Sequence, residues 1–131
     1  MSPLKMLKSI FTSAPRLEPR EVAHRLRAGE ALLVDVREPR EWTDGVAQQA
    51  ALLPLSDLTG SRARWAPFLA AHSGRQLLIY CAAGGRSVIA AKILVAEGHR
   101  AADTGSLAAW AAAGWPVGRP DALPPRSPTV G

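Results

Sequence analysis

Residues 76–80 (QLLIY), followed at once by a loop with two adjacent glycines, constrain the fold of this chain more than any other feature. Nearly all of these residues are apolar, which is typical of a strand buried on both faces. After the loop, residues 88–97 have a helical pattern, with Ile89, Ile93 and Leu94 on one face and Gly98 as its end. A buried strand that leads into a helix predicts an α/β unit, with a ligand site beyond the carboxyl end of the strand.

The same alternation extends over most of the chain. Pro19 suits a first helical position, and Val22, Ala23 and Leu26 would share one face of a helix that ends at Gly29. Short apolar runs predict further strands at residues 31–36, 50–55 and 100–103. Helical segments are predicted at residues 39–43, 58–72 and 107–113. The sequence therefore predicts an α/β domain with a mostly parallel sheet.

Length and composition divide the chain into one domain with two flanking segments. A chain of 131 residues is long enough for a single domain with its own core. We expect residues 1–14 to be an N-terminal extension, since Leu4, Leu7, Ile10 and Phe11 fall at the spacing of a short amphipathic helix. The domain itself is expected at residues 15–117. Five prolines between residues 116 and 128 predict a flexible tail at residues 118–131.

Cysteine content, charge and hydropathy exclude several classes of protein. The single cysteine rules out an internal disulfide and a cysteine-rich zinc site, and it fits a reducing compartment, so we expect a cytoplasmic protein without a metal or other cofactor. No stretch of about 18 apolar residues is present, so no membrane span is expected. The net charge of +5 comes from arginines spread along the chain, a pattern that favours attraction of small anions over nucleic-acid binding.

The loop after the central strand is suited to holding an anion on Cys81. Gly84 and Gly85 allow successive N–H groups to point inward, and the start of the next helix adds unpaired N–H groups and a positive dipole end. Arg86 adds a full charge. These three effects predict that the pKa of Cys81 lies below its ordinary value of about 8.5. Because the flanking side chains are small, the mouth of the loop is expected to be open. The loop holds no general acid or base, which favours transfer chemistry through a soft nucleophile.

Four short motifs, in this order and spacing, resemble the rhodanese family over about residues 15–117. Residues 81–86 (CAAGGR), followed by Ser87, are similar to the C-x-x-G-x-R active-site loop of that family. Residues 33–38 (LVDVRE), with Glu41 and Trp42, resemble its "DVRE…E-aromatic" stretch. Residues 53–55 (LPL) resemble its "I-P-L" element, and residues 109–110 (AW) with 113–117 (AGWPV) resemble its closing "AW…AGYPV" segment.

The resemblance implies a fold and a chemistry. The fold is a three-layer α/β/α domain around a central, mostly parallel, five-stranded sheet. The chemistry is sulfurtransferase activity of the thiosulfate:cyanide type, in which Cys81 carries sulfane sulfur as a persulfide. The donor would be thiosulfate or a persulfide, and the acceptor cyanide, a thiol or a protein. The loop expected to bind the persulfide comprises Ala82, Ala83, Gly84, Gly85, Arg86 and Ser87. Asp35 and Arg37, at the end of a predicted strand, are expected to support the site through hydrogen bonds.

Other functions stay open at this point. The chain could be a sulfur carrier or a partner-docking module with little turnover of its own. A phosphatase or arsenate reductase is disfavoured, because the related domains have a loop one residue longer than residues 81–86. A catalytically silent regulatory domain is disfavoured because Cys81 is present. One departure concerns residues 45–50 (GVAQQA), where the family often has "GHIxGA". The usual His and the second glycine of that element are absent, which puts the geometry of the turn in doubt.

Overall fold

The computed structural model describes residues 3, 4, 8 and 11–121 of the chain. The helices are α1 (Pro19–Arg27), α2 (Pro39–Trp42), α3 (Leu55–Leu58), α4 (Trp65–Ala71), α5 (Gly85–Ala96) and α6 (Leu107–Ala112). The strands are β1 (Ala31–Asp35), β2 (Val46–Ala47), β3 (Ala51–Leu52), β4 (Gln76–Cys81), β5 (Ala101–Ser106) and β6 (Val117–Gly118). The alternation of strands and helices predicted from the sequence is therefore confirmed.

The central sheet is parallel, in the order β3-β1-β4-β5. The expectation of five strands is wrong by one, since the sheet has four. Beside β5, where a fifth strand would lie, the segment before α1 forms one parallel bridge, between Arg16 and Asp103. That segment cannot extend the single bridge into a strand, because Pro15 has no N–H to donate and Pro19 already begins α1.

Two apolar layers cover the sheet, which gives the predicted three-layer architecture. On one face, residues of α3, α4 and α5 pack against alternate residues of the strands, with Leu58, Trp65 and Leu94 fully buried. On the other face, Val22 of α1 and Trp110 of α6 pack against the remaining strand residues. Because both faces are covered, the strands are continuously apolar rather than alternating. Cys81 lies on the α5 side of this core.

Several element boundaries differ from the sequence prediction. The predicted helix at residues 58–72 is wrong in its first half: α3 ends at Leu58, and α4 begins only at Trp65. It begins there because Asp57 Oδ2 accepts hydrogen bonds from the N–H groups of Arg64 and Trp65. Helix α5 begins at Gly85 rather than at residue 88, directly at the end of the loop. Its Ile89 is 50% exposed, whereas Ile93 and Leu94 are buried. The prediction that all three share one face is therefore wrong for Ile89.

The ends of the chain are described only in part. Leu4 and Phe11 of the predicted amphipathic helix are exposed, whereas Leu7 and Ile10 lie outside the described residues. At the other end, β6 pairs antiparallel with β2 and includes Gly118, the first residue of the predicted tail. Residues 122–131 of that tail lie outside the described residues.

The turn between β2 and β3 contains the residue that replaces the expected glycine. Gln49 stands where "GHIxGA" has its second glycine, and its φ of 71° lies in the left-handed region. A side chain at such a φ costs about 1–2 kcal/mol. The turn keeps its shape because the Gln48 N–H bonds the carbonyl of Pro116, and the Gln48 carbonyl accepts from Trp115 Nε1.

This strain yields a prediction for two adjacent substitutions. Glycine at residue 48 or at residue 49 raises the conformational entropy of the unfolded chain by the same amount. Only at residue 49 does it also relieve the strain of a left-handed φ. Gln49→Gly should therefore have a free energy of unfolding about 1–2 kcal/mol higher than that of Gln48→Gly, as measured by urea denaturation. Equal stability of the two variants would show that Gln49 is not strained.

Candidate active site

Cys81 is the last residue of β4 and lies at the carboxyl end of the sheet, the edge at which parallel α/β folds bind ligands. Its side chain is fully buried. The strand register shifts between Ile79 and Cys81, so that Cys81 lies opposite Ser106 of β5. The predicted open mouth is therefore only partly right. The residues of the loop at positions 82, 83 and 85 are exposed, but the sulfur itself is covered.

The loop directs backbone N–H groups at the sulfur. Gly84 has a φ of 98°, a left-handed conformation that turns the chain into α5. Its N–H donates to Cys81 Sγ over 3.0 Å, and the N–H of Ser87, in the first turn of α5, donates over 3.4 Å. The sulfur thus lies at the positive end of the α5 dipole. This is the arrangement that the glycines of the loop predicted.

The pKa of the Cys81 thiol lies below its ordinary value. Burial raises this pKa, because it disfavours the charged thiolate. Hydrogen bonds from the Ser87 side chain and from the amides of Ser87, Gly84 and Ala83 lower it and outweigh burial. The direction agrees with the sequence prediction, and the main lowering causes are hydrogen bonds.

Arg86 is not the uncompensated charge that the sequence suggested. Its guanidinium forms two hydrogen bonds with the Glu41 carboxylate of α2, at 2.6 and 2.9 Å. The pair lowers the pKa of Glu41 to about 2 and raises that of Arg86. Glu41 therefore neutralises the charge beside the loop. The positive potential at the sulfur comes mainly from amides and the helix dipole.

Asp35 and Arg37 lie at the carboxyl end of β1 and form a buried ion pair. Asp35 Oδ2 is 2.8 Å from Arg37 Nη2 and also accepts the hydroxyl of Tyr80 over 2.6 Å. Arg37 in turn donates to the carbonyls of Glu41 and Gly45. These bonds hold α2 against the sheet and so fix the position of Glu41. The geometry fits an indirect, supporting role for Asp35 and Arg37.

Asp103 and its partner Arg16, which the sequence analysis did not consider, also border the site. Asp103 of β5 is 4% exposed, and its Oδ1 accepts the Ser87 hydroxyl over 2.7 Å. Its Oδ2 pairs with Arg16 Nη1 at 3.2 Å. The Arg16 guanidinium lies so close to Gly105 that a Cβ added at residue 105 would be only 2.7 Å from Arg16 Nη2. The signal for Asp103 was its place at the end of the strand predicted at residues 100–103, but the loop motif does not include it.

Neither a metal site nor a membrane helix is evident in the described part of the chain. Within residues 3, 4, 8 and 11–121, no group of three or more His, Cys, Asp or Glu residues is placed to hold a metal ion. No helix among these same residues has the length and apolar character needed to cross a bilayer.

The Arg86–Glu41 pair yields a prediction for the acidity of Cys81. Glu41→Gln should lower the pKa of Cys81, because the Arg86 charge would then be left uncompensated near the thiolate. The measurement is the rate of Cys81 alkylation by iodoacetamide against pH, whose wild-type midpoint should lie below about 8.5. Glu21→Gln, a change of the same type at an exposed site in α1, should leave the midpoint where it is. A higher midpoint in Glu41→Gln would contradict this electrostatic interpretation.

The solved structures most informative for this site share the fold. A rhodanese-related protein from Thermoplasma volcanium is 25% identical, with a TM-score of 0.65 over 79% of this chain and 96% of that one. A Rhodopseudomonas palustris protein of unknown function, called a possible tyrosine phosphatase, is 25% identical, with a TM-score of 0.66 over 86% and 90%. A thiosulfate sulfurtransferase from Pseudomonas aeruginosa is 23% identical, with a TM-score of 0.66 over 88% of this chain but only 22% of that one.

Sequence comparison addresses the family directly. A comparison with curated protein sequences gave no match. A model of the Rhodanese-like domain family, however, matches residues 18–113, which is more than half of the chain and includes β1, β4 and the whole Cys81 loop. With this match, and with the same fold in solved rhodanese-related structures, the chain belongs to the rhodanese-like domain family.

Proposed function

We propose that this protein is a sulfurtransferase in which Cys81 carries sulfane sulfur as a persulfide. The observation that supports it most is the pair of N–H groups, of Gly84 and Ser87, that donate to Cys81 Sγ at the start of α5. An environment of this kind stabilises a thiolate, which is the form that attacks sulfur. Family membership supports the same chemistry.

The proposed reaction has two steps that balance. The Cys81 thiolate attacks the outer sulfur of thiosulfate, the S–S bond of the donor breaks, and sulfite leaves with the bonding electron pair. The negative charge then resides on the terminal sulfur of the Cys81 persulfide. Cyanide or an acceptor thiolate attacks this sulfur, and Cys81 leaves as a thiolate. With a persulfide donor, the leaving group of the first step is a thiolate instead of sulfite.

The loop size favours sulfur over phosphate or arsenate as the transferred group. Residues 81–86 form a loop of six residues, one shorter than in the related phosphatase and arsenate-reductase domains. Arg86 is held by Glu41 in two hydrogen bonds, so it is not free to bind a transferred oxyanion on two sides. These observations make phosphate transfer the weaker candidate, although a similar protein is called a possible tyrosine phosphatase.

A second candidate is a sulfur carrier that works only with a protein partner. The observation in its favour is the burial of Cys81, because a donor can reach a fully covered sulfur only when the loop moves. A docked partner could supply the free energy for that movement. In either case the single cysteine fits a reducing compartment such as the cytoplasm, where an acceptor thiol is available.

Steady-state kinetics with thiosulfate and cyanide test the proposal. The purified protein should form thiocyanate with saturation in both substrates and with the parallel double-reciprocal lines of a ping-pong mechanism. Cys81→Ala should lose this turnover while its free energy of unfolding stays near that of the wild type. Hydrolysis of p-nitrophenyl phosphate, measured in parallel, should be at background. Phosphatase turnover that depends on Cys81, without thiocyanate formation, would overturn the proposal.

A further inference from the structure

The hydroxyl of Ser87 connects the sulfur of Cys81 to a buried carboxylate. On one side, Cys81 Sγ lies 3.4 Å from Ser87 Oγ. On the other side, Ser87 Oγ lies 2.7 Å from Asp103 Oδ1. Cys81 and Ser87 are fully buried and Asp103 is 4% exposed, so water has little access to this chain of three side chains.

Ser87 has one hydroxyl proton and several groups that could accept it. The carbonyls of Gly84 and Gly105 lie at 3.0 and 3.4 Å, but Asp103 is nearer, and an ionised carboxylate is the stronger acceptor. With the proton directed at Asp103, Ser87 Oγ presents a lone pair to the sulfur. It can then accept a hydrogen bond from a Cys81 thiol, whereas the hydrogen bond to the thiolate that lowers the pKa of Cys81 forms only when the proton turns from Asp103 to the sulfur.

The carboxylate of Asp103 has two partners besides Ser87. The N–H of Gly105 donates to Oδ1 over 2.9 Å, and Arg16 pairs with Oδ2 at 3.2 Å. Arg16 itself also pairs with Glu18 at 3.4 Å. On the opposite side of the sulfur, the charge of Arg86 is opposed by Glu41 and, at longer range, by Glu38. Among the described residues, Asp103 is thus the carboxylate with the most direct hydrogen-bonded path to Cys81.

We propose that Asp103 is a positioning residue for Cys81: by holding the hydroxyl proton of Ser87, it withholds one hydrogen bond from the thiolate and makes Cys81 harder to ionise but more nucleophilic once ionised. The nucleophilicity of a thiolate falls as the pKa of its thiol falls, with a Brønsted coefficient of about 0.4–0.5. A sulfur bonded by loop amides alone therefore remains a better nucleophile than one that also receives the hydroxyl. This proposal rests on the proposed function only where it concerns sulfur transfer.

Asp103→Asn tests the proposal, because a neutral amide competes less well for the Ser87 proton. The variant should lower the pKa of Cys81 by about one unit, the usual effect of one hydrogen bond to a charged group. The probe is a small neutral disulfide, bis(2-hydroxyethyl) disulfide, which forms a mixed disulfide with Cys81 and releases 2-mercaptoethanol. Because the chain has one cysteine, the intact mass follows this reaction without ambiguity.

The two pH–rate profiles should cross. At a pH below both midpoints, Asp103→Asn should react about threefold faster than the wild type, because the larger fraction of ionised Cys81 outweighs the lower nucleophilicity of its thiolate. On the alkaline plateau, where Cys81 is fully ionised in both proteins, the variant should react about threefold more slowly, because a thiolate of lower pKa is less nucleophilic. A residue that only supports the fold would not produce opposite effects at the two ends. An unchanged or higher midpoint in Asp103→Asn would overturn the proposal.

Two further variants keep the test decisive. Glu30→Gln removes one negative charge at an exposed residue just before β1, at the far end of the sheet, and should not shift the profile. Ser87→Ala should raise the pKa of Cys81 by well under one unit in the wild type, where Asp103 holds the proton, and by about one unit in Asp103→Asn. If Asp103→Asn does not fold, a rise of one unit or more in Ser87→Ala alone contradicts the proposal. None of these readouts requires sulfur transfer, so they are independent of the proposed function.

Discussion

The hydrogen bond from the Gly84 N–H to Cys81 Sγ, 3.0 Å long, is the contact on which the site depends. It exists because Gly84 can take a φ of 98°, which turns the chain sharply from β4 into α5. The same turn places Ser87 in the first turn of α5, with both its N–H and its hydroxyl against the sulfur. A side chain at position 84 would strain this left-handed conformation.

Charge around the sulfur is arranged in compensated pairs. Arg86 is bonded to Glu41, and Asp103 is bonded to Arg16, so neither arginine leaves a full uncompensated charge beside the loop. The thiolate is therefore stabilised chiefly by dipoles that the backbone fixes in place. In the proposed reaction, such dipoles would need no rearrangement when charge moves from Cys81 to a terminal persulfide sulfur.

Much of the fold could be predicted from the sequence, because the strands are apolar on both faces and the helices follow with their own period. The position of the Cys81 loop could also be predicted, since Gly84 and Gly85 lie between the apolar run at residues 76–80 and a helical pattern. The charge pairs could not be predicted. Whether Arg86 is free depends on α2 lying against the start of α5, and the buried Asp35–Arg37 ion pair fixes that placement. Asp103 was missed for a similar reason, because its role follows from the packing of β5 beside β4 and from the direction of the Ser87 side chain.

Intact mass spectrometry tests the central claim most directly. The protein is incubated with thiosulfate, its mass and the modified residue are determined, and cyanide is then added. We expect a gain of about 32 Da, one sulfur atom located on Cys81, and its removal by cyanide. An adduct with a persulfide donor but none with thiosulfate would assign the protein to the carrier class. The absence of an adduct with either donor would contradict the proposal that this loop holds sulfane sulfur.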